Sequence, residues 1–182
     1  MTNDKGLNHS LLHLFDSLEA QRSKLLGLIT DLTHEQLNTH PEGKWSIAQV
    51  LSHLIASEHL SVKYLNKKML GINEAPNTGL IEELKMIALI VSQRTPFIKF
   101  KAPKVLAENT PVYQTAEQLK EAWDKNRIEL KEVIARFQDD QLKRKIYKHP
   151  IAGMLNIKQA LQFFYEHIIH HTPQIKNLLR QK

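Results

Sequence analysis

The chain has 182 residues, a formal charge of +6 at pH 7, ten histidines and no cysteine. That length fits one domain, 1–182, able to bury a core without cross-links. The missing cysteines exclude disulfide scaffolds, thiolate metal sites and cysteine nucleophiles, and fit a reducing compartment such as the cytoplasm. The opening "MTNDKGLNHS" shows no signal-peptide pattern, and no run of about 18 apolar residues suits a membrane. The positive charge permits an anionic partner without requiring one. Its one cluster, "LKRKIYKH" at 142–149, reads as a solvated loop or, alternatively, as a contact for nucleic acid or a protein.

In chain order, residues 7–30 place Leu7, Leu11, Leu14, Leu18, Leu25 and Ile29 at helical spacing. "THEQ" (33–36) has the form of a capping box, and "HPEGKW" makes a turn. Ser46 and Gln49 form a second capping box, which predicts a helix to about Leu70. "GINEAPNTG" reads as a loop and Leu80–Gln93 as a helix. Residues 94–114 carry three prolines and no helical period, a long irregular link. A further helix runs from Thr115, with Gln118 at its cap, to about Phe137. "KHPIAGML" is a turn, and a last helix starts at Asn156, with Gln159 three residues on, and runs toward Leu179. No strand pattern is evident. The expectation is all-α: a four-helix bundle, four long helices with an extra short one.

Two His pairs have the i,i+4 spacing that puts both rings on one helix face: His9 with His13, and His167 with His171. The helical wheel separates them. His9 and His13 lie opposite their helix's apolar stripe, beside Asp16 and Ala20, and read as solvent histidines. His167, His171 and Gln174 line the edge of the stripe Ile157, Phe164, Ile168, Ile175, at the rim of the core. His170 and Glu166 are placed further round, toward water. On the second long helix the stripe runs through Ile47, Leu51, Leu54, Val62 and Leu65. His53 lies on its flank with Leu60 and Tyr64. If these two helices are neighbours, three imidazoles make a half-built tetrahedral zinc site or an open octahedral face for nickel or iron. A metal in such a site acidifies a bound water or polarises a substrate thiol or carbonyl. From pattern alone, such flank histidines are more often ordinary half-buried residues than ligands. Glu58 falls inside an apolar stripe, where a carboxylate needs a partner such as an Arg or Lys from another helix. Glu58, Tyr64 and His149 are the candidates for a general base, by position only.

"GKWSIAQVLSHLIASE" (43–58) and "HPIAGMLNIKQALQFFYEHIIHHTPQI" (149–175) resemble the two histidine segments of the DinB-like superfamily. The Pro-rich link with "FKAPK" is similar too. The resemblance implies a four-helix bundle in up-down-down-up order, often dimeric. It implies a divalent metal, commonly nickel or zinc and in other cases iron or manganese, on His53, His167 and His171. Relatives include bacillithiol transferases and mycothiol-dependent isomerases. The implied function is therefore a thiol (S-)transferase or a hydrolase acting on a small molecule, in some cases a low-molecular-weight thiol. The alternative is a non-catalytic bundle that binds a partner or nucleic acid through 142–149. One feature departs from the pattern: Thr172-Pro173 falls between His171 and Gln174, so a kink is expected there and the aim of Gln174 is open.

Overall fold

The computed structural model describes residues 8–95, 110–111 and 113–181. Most of the predicted Pro-rich link, with its "FKAPK", lies outside the described residues. The α-helices are α1 (His9–Gly27), α2 (His34–Asn38), α3 (Ile47–Met69), α4 (Leu80–Arg94), α5 (Ala116–Ala135) and α6 (Ile157–Arg180). Their starts follow from side chains. Asn8 Oδ1 accepts from the amides of Ser10 and Leu11. Thr33, Ser46 and Asn156 each accept from the amide three residues on, and Gln36, Gln49 and Gln159 return the bond. Each box satisfies amides that a helix start would otherwise leave unpaired.

Bonded pairs fix the helix directions. Glu58 meets Trp123 and Arg127, and Asn66 meets Arg136, so α3 and α5 run parallel. Glu19 pairs with Arg127 and Arg22 with Asp124, so α1 runs against α5. His53 meets His167 while Ser57 and Glu58 share a cavity with Phe164, so α3 runs against α6. The order α1 up, α3 down, α5 down, α6 up is the expected one. Leu11, Leu18, Leu51, Leu65, Trp123, Leu130 and Leu161 fill the centre, each at most 1% exposed. At about 25 cal/mol per Å2 of apolar surface, this core is the main force holding the bundle.

α4 lies outside the four, parallel to α6. Arg94 clamps Glu166 with two bonds of 2.7 Å, and His170 Nδ1 donates to the carbonyl of Gln93 at 2.7 Å. This overturns the placement of Glu166 and His170 toward water. Glu166 is 1% exposed, because the face of α6 that a four-helix wheel leaves wet is covered by α4.

A second correction concerns 147–155. Tyr147–His149 and Gly153–Leu155 form a small antiparallel hairpin, with Tyr147 opposite Leu155 and His149 opposite Gly153. Gly153 takes φ +78°, a left-handed conformation that favours glycine. Strands of three residues are too short to display a period of two. The basic cluster before the hairpin is built into the fold. Arg144 donates to the Ala75 carbonyl at 2.8 Å, and Lys145 pairs with Glu82 at 2.8 Å. Two of its cations are thus taken up internally, which weakens the alternative of a basic docking segment. Among the described residues no helix is long and apolar enough to cross a membrane.

Candidate metal centre

The three histidines come from two antiparallel helices at one end of the bundle. His53 stands in the second turn of α3, which the Ser46 cap anchors. His167 and His171 stand one turn apart on α6. His53 Nε2 lies 3.3 Å from His167 Nε2. The ring centroids of the three are 5.2, 5.1 and 4.9 Å apart. One ligand atom from each lies within 4.8 Å of the other two. Nitrogens that share one zinc at roughly 2.0–2.1 Å lie about 3.3 Å apart in a tetrahedron. One pair already has that spacing, and the third nitrogen lies within 4.8 Å of both.

Electrostatics suit a cation. Burial pulls the His53 imidazole down to about 4, helped by His170 nearby. Burial also brings His171 to about 4, against the opposing bond from Gln174. His167 is held well below its ordinary value by burial first, then by its imidazole neighbours. All three are neutral at pH 7 and keep a lone pair each, as metal binding requires. Gln174 Oε1 lies 3.0 Å from His171 Nδ1. An amide oxygen only accepts, so Nδ1 carries the proton and Nε2 keeps its lone pair. Pro173 does not end α6, which continues to Arg180, and Gln174 still reaches His171. The proline sits on the exposed side, where its lost amide donor costs least.

Of the three candidate bases, none is placed to act as one. Tyr64 is eleven residues beyond His53 on α3, roughly 16 Å along the axis at about 1.5 Å per residue, and packs on Tyr147. Glu58 bonds Trp123 Nε1 at 3.2 Å and pairs with Arg127 Nη2 at 3.0 Å, the expected structural partnership. His149 Nδ1 accepts from the amides of Ile151 and Ala152 at 3.2 and 3.0 Å. Its remaining proton is therefore on Nε2, and burial pulls this ring down to about 4. It can donate a hydrogen bond but has no free lone pair. His9 and His13 are exposed, as expected.

The wheel gave no role to two aromatic neighbours. Trp45, just before the α3 cap, puts its ring 5.2 Å from His53 while 39% exposed. Phe163 stacks on His167 at 15° and 5.5 Å. A large aromatic directly before a helix cap, two turns ahead of a candidate ligand, is the signal that could have flagged Trp45. Together they make one wet and one dry wall for the cluster.

An up-down-down-up bundle with three neutral imidazoles converging at one end is a helical protein with a group that could hold a metal ion. The family model of the DinB superfamily matches residues 17–175, and the chain belongs to that superfamily. It is 30% identical over 148 residues to the uncharacterized protein YuaE of Bacillus subtilis (strain 168), covering 81% of this chain and 85% of YuaE. Among solved structures it resembles YfiT from Bacillus subtilis, at a TM-score of 0.57 and 20% identity, over 93% of this chain and 85% of that one. YfiT is described as a probable metal-dependent hydrolase with an unusual four-helix bundle topology. At that identity the likeness establishes the shared fold.

Proposed function

We propose that this chain is a metal-dependent enzyme whose divalent ion is held by His53, His167 and His171. One observation supports this above the rest: three neutral imidazoles offer nitrogens within 4.8 Å of one another, with no acid among them to form an ion pair. A divalent ion there supplies Lewis-acid activation of water, a thiol or a carbonyl. Nickel or zinc fits best, iron suits the same donors, and manganese, which prefers oxygen ligands, is the weakest of the four candidates. His171 is aimed by Gln174, His167 is supported by Phe163, and the exposed Trp45 face offers a small-molecule substrate an apolar surface. Hydrolysis is the reaction favoured by the likeness to YfiT, and transfer of a low-molecular-weight thiol is the finer alternative. The chain acts as one domain in the cytoplasm on this reading.

Elemental analysis of protein purified without an affinity tag tests it. One nickel, zinc, iron or manganese per chain is expected. No transition metal in the protein, and none taken up on titration, would overturn the reading.

The same reading includes a homodimer. Leu80, Leu84, Ile87 and Val91 follow one another at helical spacing on α4, each more than half exposed. Apolar stripes of this kind on soluble bundles are commonly covered by a second subunit. Light scattering should give twice the chain mass, and Leu84→Glu with Ile87→Glu should give the monomer.

A further inference from the structure

Below the histidine cluster, toward the bundle centre, lies a cavity of about 10 Å3, taken as the space open to the centre of a water molecule. Its walls include Leu54, Ser57, Glu58, Trp123, Phe164 and His167. That is room for one water. Most of the lining is apolar, so what matters is the few polar groups that reach it. Glu58 is 5% exposed, and its Oε2 is taken by Trp123 and Arg127. Its Oε1 is buried with no hydrogen-bond partner among the described residues. A buried carboxylate oxygen left bare is costly, and such atoms in native folds generally have a bound water. His167 is part of the same lining and turns Nε2 to His53 at 3.3 Å. The two nitrogens of an imidazole point away from each other, so Nδ1 faces away from the cluster. Ser57 adds a hydroxyl to the same walls. A water needs two to four polar partners, and the lining residues Glu58, Ser57 and His167 are the ones that carry them.

We propose that one water fills this cavity and bridges His167 Nδ1–H to Glu58 Oε1, making Glu58 a positioning residue for the metal centre. The water accepts from Nδ1 and donates to the carboxylate. The His167 proton is thereby held on Nδ1, and the Nε2 lone pair faces His53 and His171. Gln174 does the same for His171 directly, so two of the three imidazoles have their tautomer set from behind. The relay also joins the cluster to the Glu58–Arg127 pair in the bundle centre. Outer partners of this kind orient ligands and raise their basicity. The consequence for the ion rests on the metal reading above, whereas the tautomer and the water do not.

The test is nitrogen-15 NMR on the full-length, metal-free protein at pH 7. In the wild type, His167 should show the Nδ1–H tautomer and a cross-peak from that proton to a long-lived water. An Nε2–H tautomer, or no such water, would overturn the proposal, and no variant needs to fold for that outcome. Glu58→Met, of similar length but without an acceptor, should mix the His167 tautomers. Glu58→Gln keeps an acceptor and should preserve them, although both variants weaken the Arg127 pair. Glu19→Gln, which touches Arg127 but not the cavity, separates general loosening from the relay. Zinc affinity, read by competition with a chromophoric chelator, should fall roughly ten- to a hundredfold in Glu58→Met and stay near wild type in Glu19→Gln. Equal losses in the two would reduce Glu58 to a structural residue. A wild type that binds no zinc yet shows the Nδ1–H tautomer and the water would defeat the metal reading and leave the relay intact.

Discussion

Two buried polar clusters lie within six residues of each other on α3, and they are built on opposite principles. At Glu58 every charge has a counter-charge. Arg127 lies 3.0 Å from both Glu19 and Glu58, Arg22 lies 2.7 Å from Glu19, and Asp124 takes Arg22 and Lys120. At His53 three like groups face one another, His53 Nε2 and His167 Nε2 at 3.3 Å, and the 3.0 Å bond to Gln174 engages the far nitrogen of His171. The charges of the first cluster are balanced within the fold, and Glu58 Oε1 is left over. The second brings three lone pairs together, an arrangement that lowers the energy only when a cation lies between them. Buried polarity alone does not mark a site. Buried polarity whose acceptors converge without a donor does.

That contrast can be broken in two ways. His171→Ala removes one of the three proposed ligands and should take the metal content from one ion per chain to none, with activity lost alongside. The metal-free variant should melt close to the metal-free wild type, because His171 is half-buried and among the described residues its side chain bonds Gln174 alone. Arg127→Leu should do the reverse. It leaves Glu58 buried beside Glu19 without a cation, and breaking such a pair costs about 3–5 kcal/mol. The melting temperature should drop steeply, while the folded fraction still binds one ion. A loss of metal in Arg127→Leu equal to that in His171→Ala would show the two clusters to be one unit.

A pH series sharpens the same comparison. His53, His149 and His171 have folded values of about 4, lowered chiefly by burial. Unfolded histidine titrates near 6.5. Between those values the unfolded chain binds more protons, so stability rises with pH. The stability these neutral rings contribute is whole above about 6.5 and is lost as pH falls toward 4. The metal-free melting temperature should therefore decline across that window and level off below it. Because the ligands are already neutral at pH 7, zinc binding there should release few protons from them. Calorimetry in buffers of different ionisation enthalpy reads this directly, and release of two or three protons per ion would show that the rings were charged.

Much of the fold was legible because its signals are local. Capping boxes at Thr33, Ser46 and Asn156 mark helix starts within four residues, and the 3.6-residue stripes mark the faces. The rim placement of His167 and His171 came from the same wheel, and so did the buried position of Glu58. What failed depended on neighbours that a wheel does not contain. Glu166 and His170 looked wet because nothing in their own helix says that α4 lies over them. The hairpin at 147–155 is held by His149 accepting two amides across its turn, a contact that periodicity does not reveal. The cavity behind His167 is a property of three helices at once. The wheel could bring His53 to His167 and His171 only on the condition that α3 and α6 are neighbours, and the family likeness supplied that condition.

The smallest expected effect concerns the residue whose aim the proline left open. Gln174 contributes no ligand and sits on the turn that Pro173 begins, yet its amide oxygen holds His171 Nδ1 at 3.0 Å. Gln174→Leu keeps a similar volume and removes the acceptor. His171 then loses the bond that fixes its tautomer and ring angle, and metal affinity should fall about tenfold, or about 1.4 kcal/mol. The ion content at saturating metal should stay at one per chain, unlike His171→Ala. Gln174→Glu supplies a charged acceptor at the same place and should bind at least as tightly as the wild type. If Gln174→Leu binds as tightly as the wild type, the bond is incidental and Phe163 with the helix backbone suffices to aim the ring. If the two Gln174 variants move in opposite directions, the turn of α6 that carries Gln174 positions the proposed metal centre although Pro173 opens it.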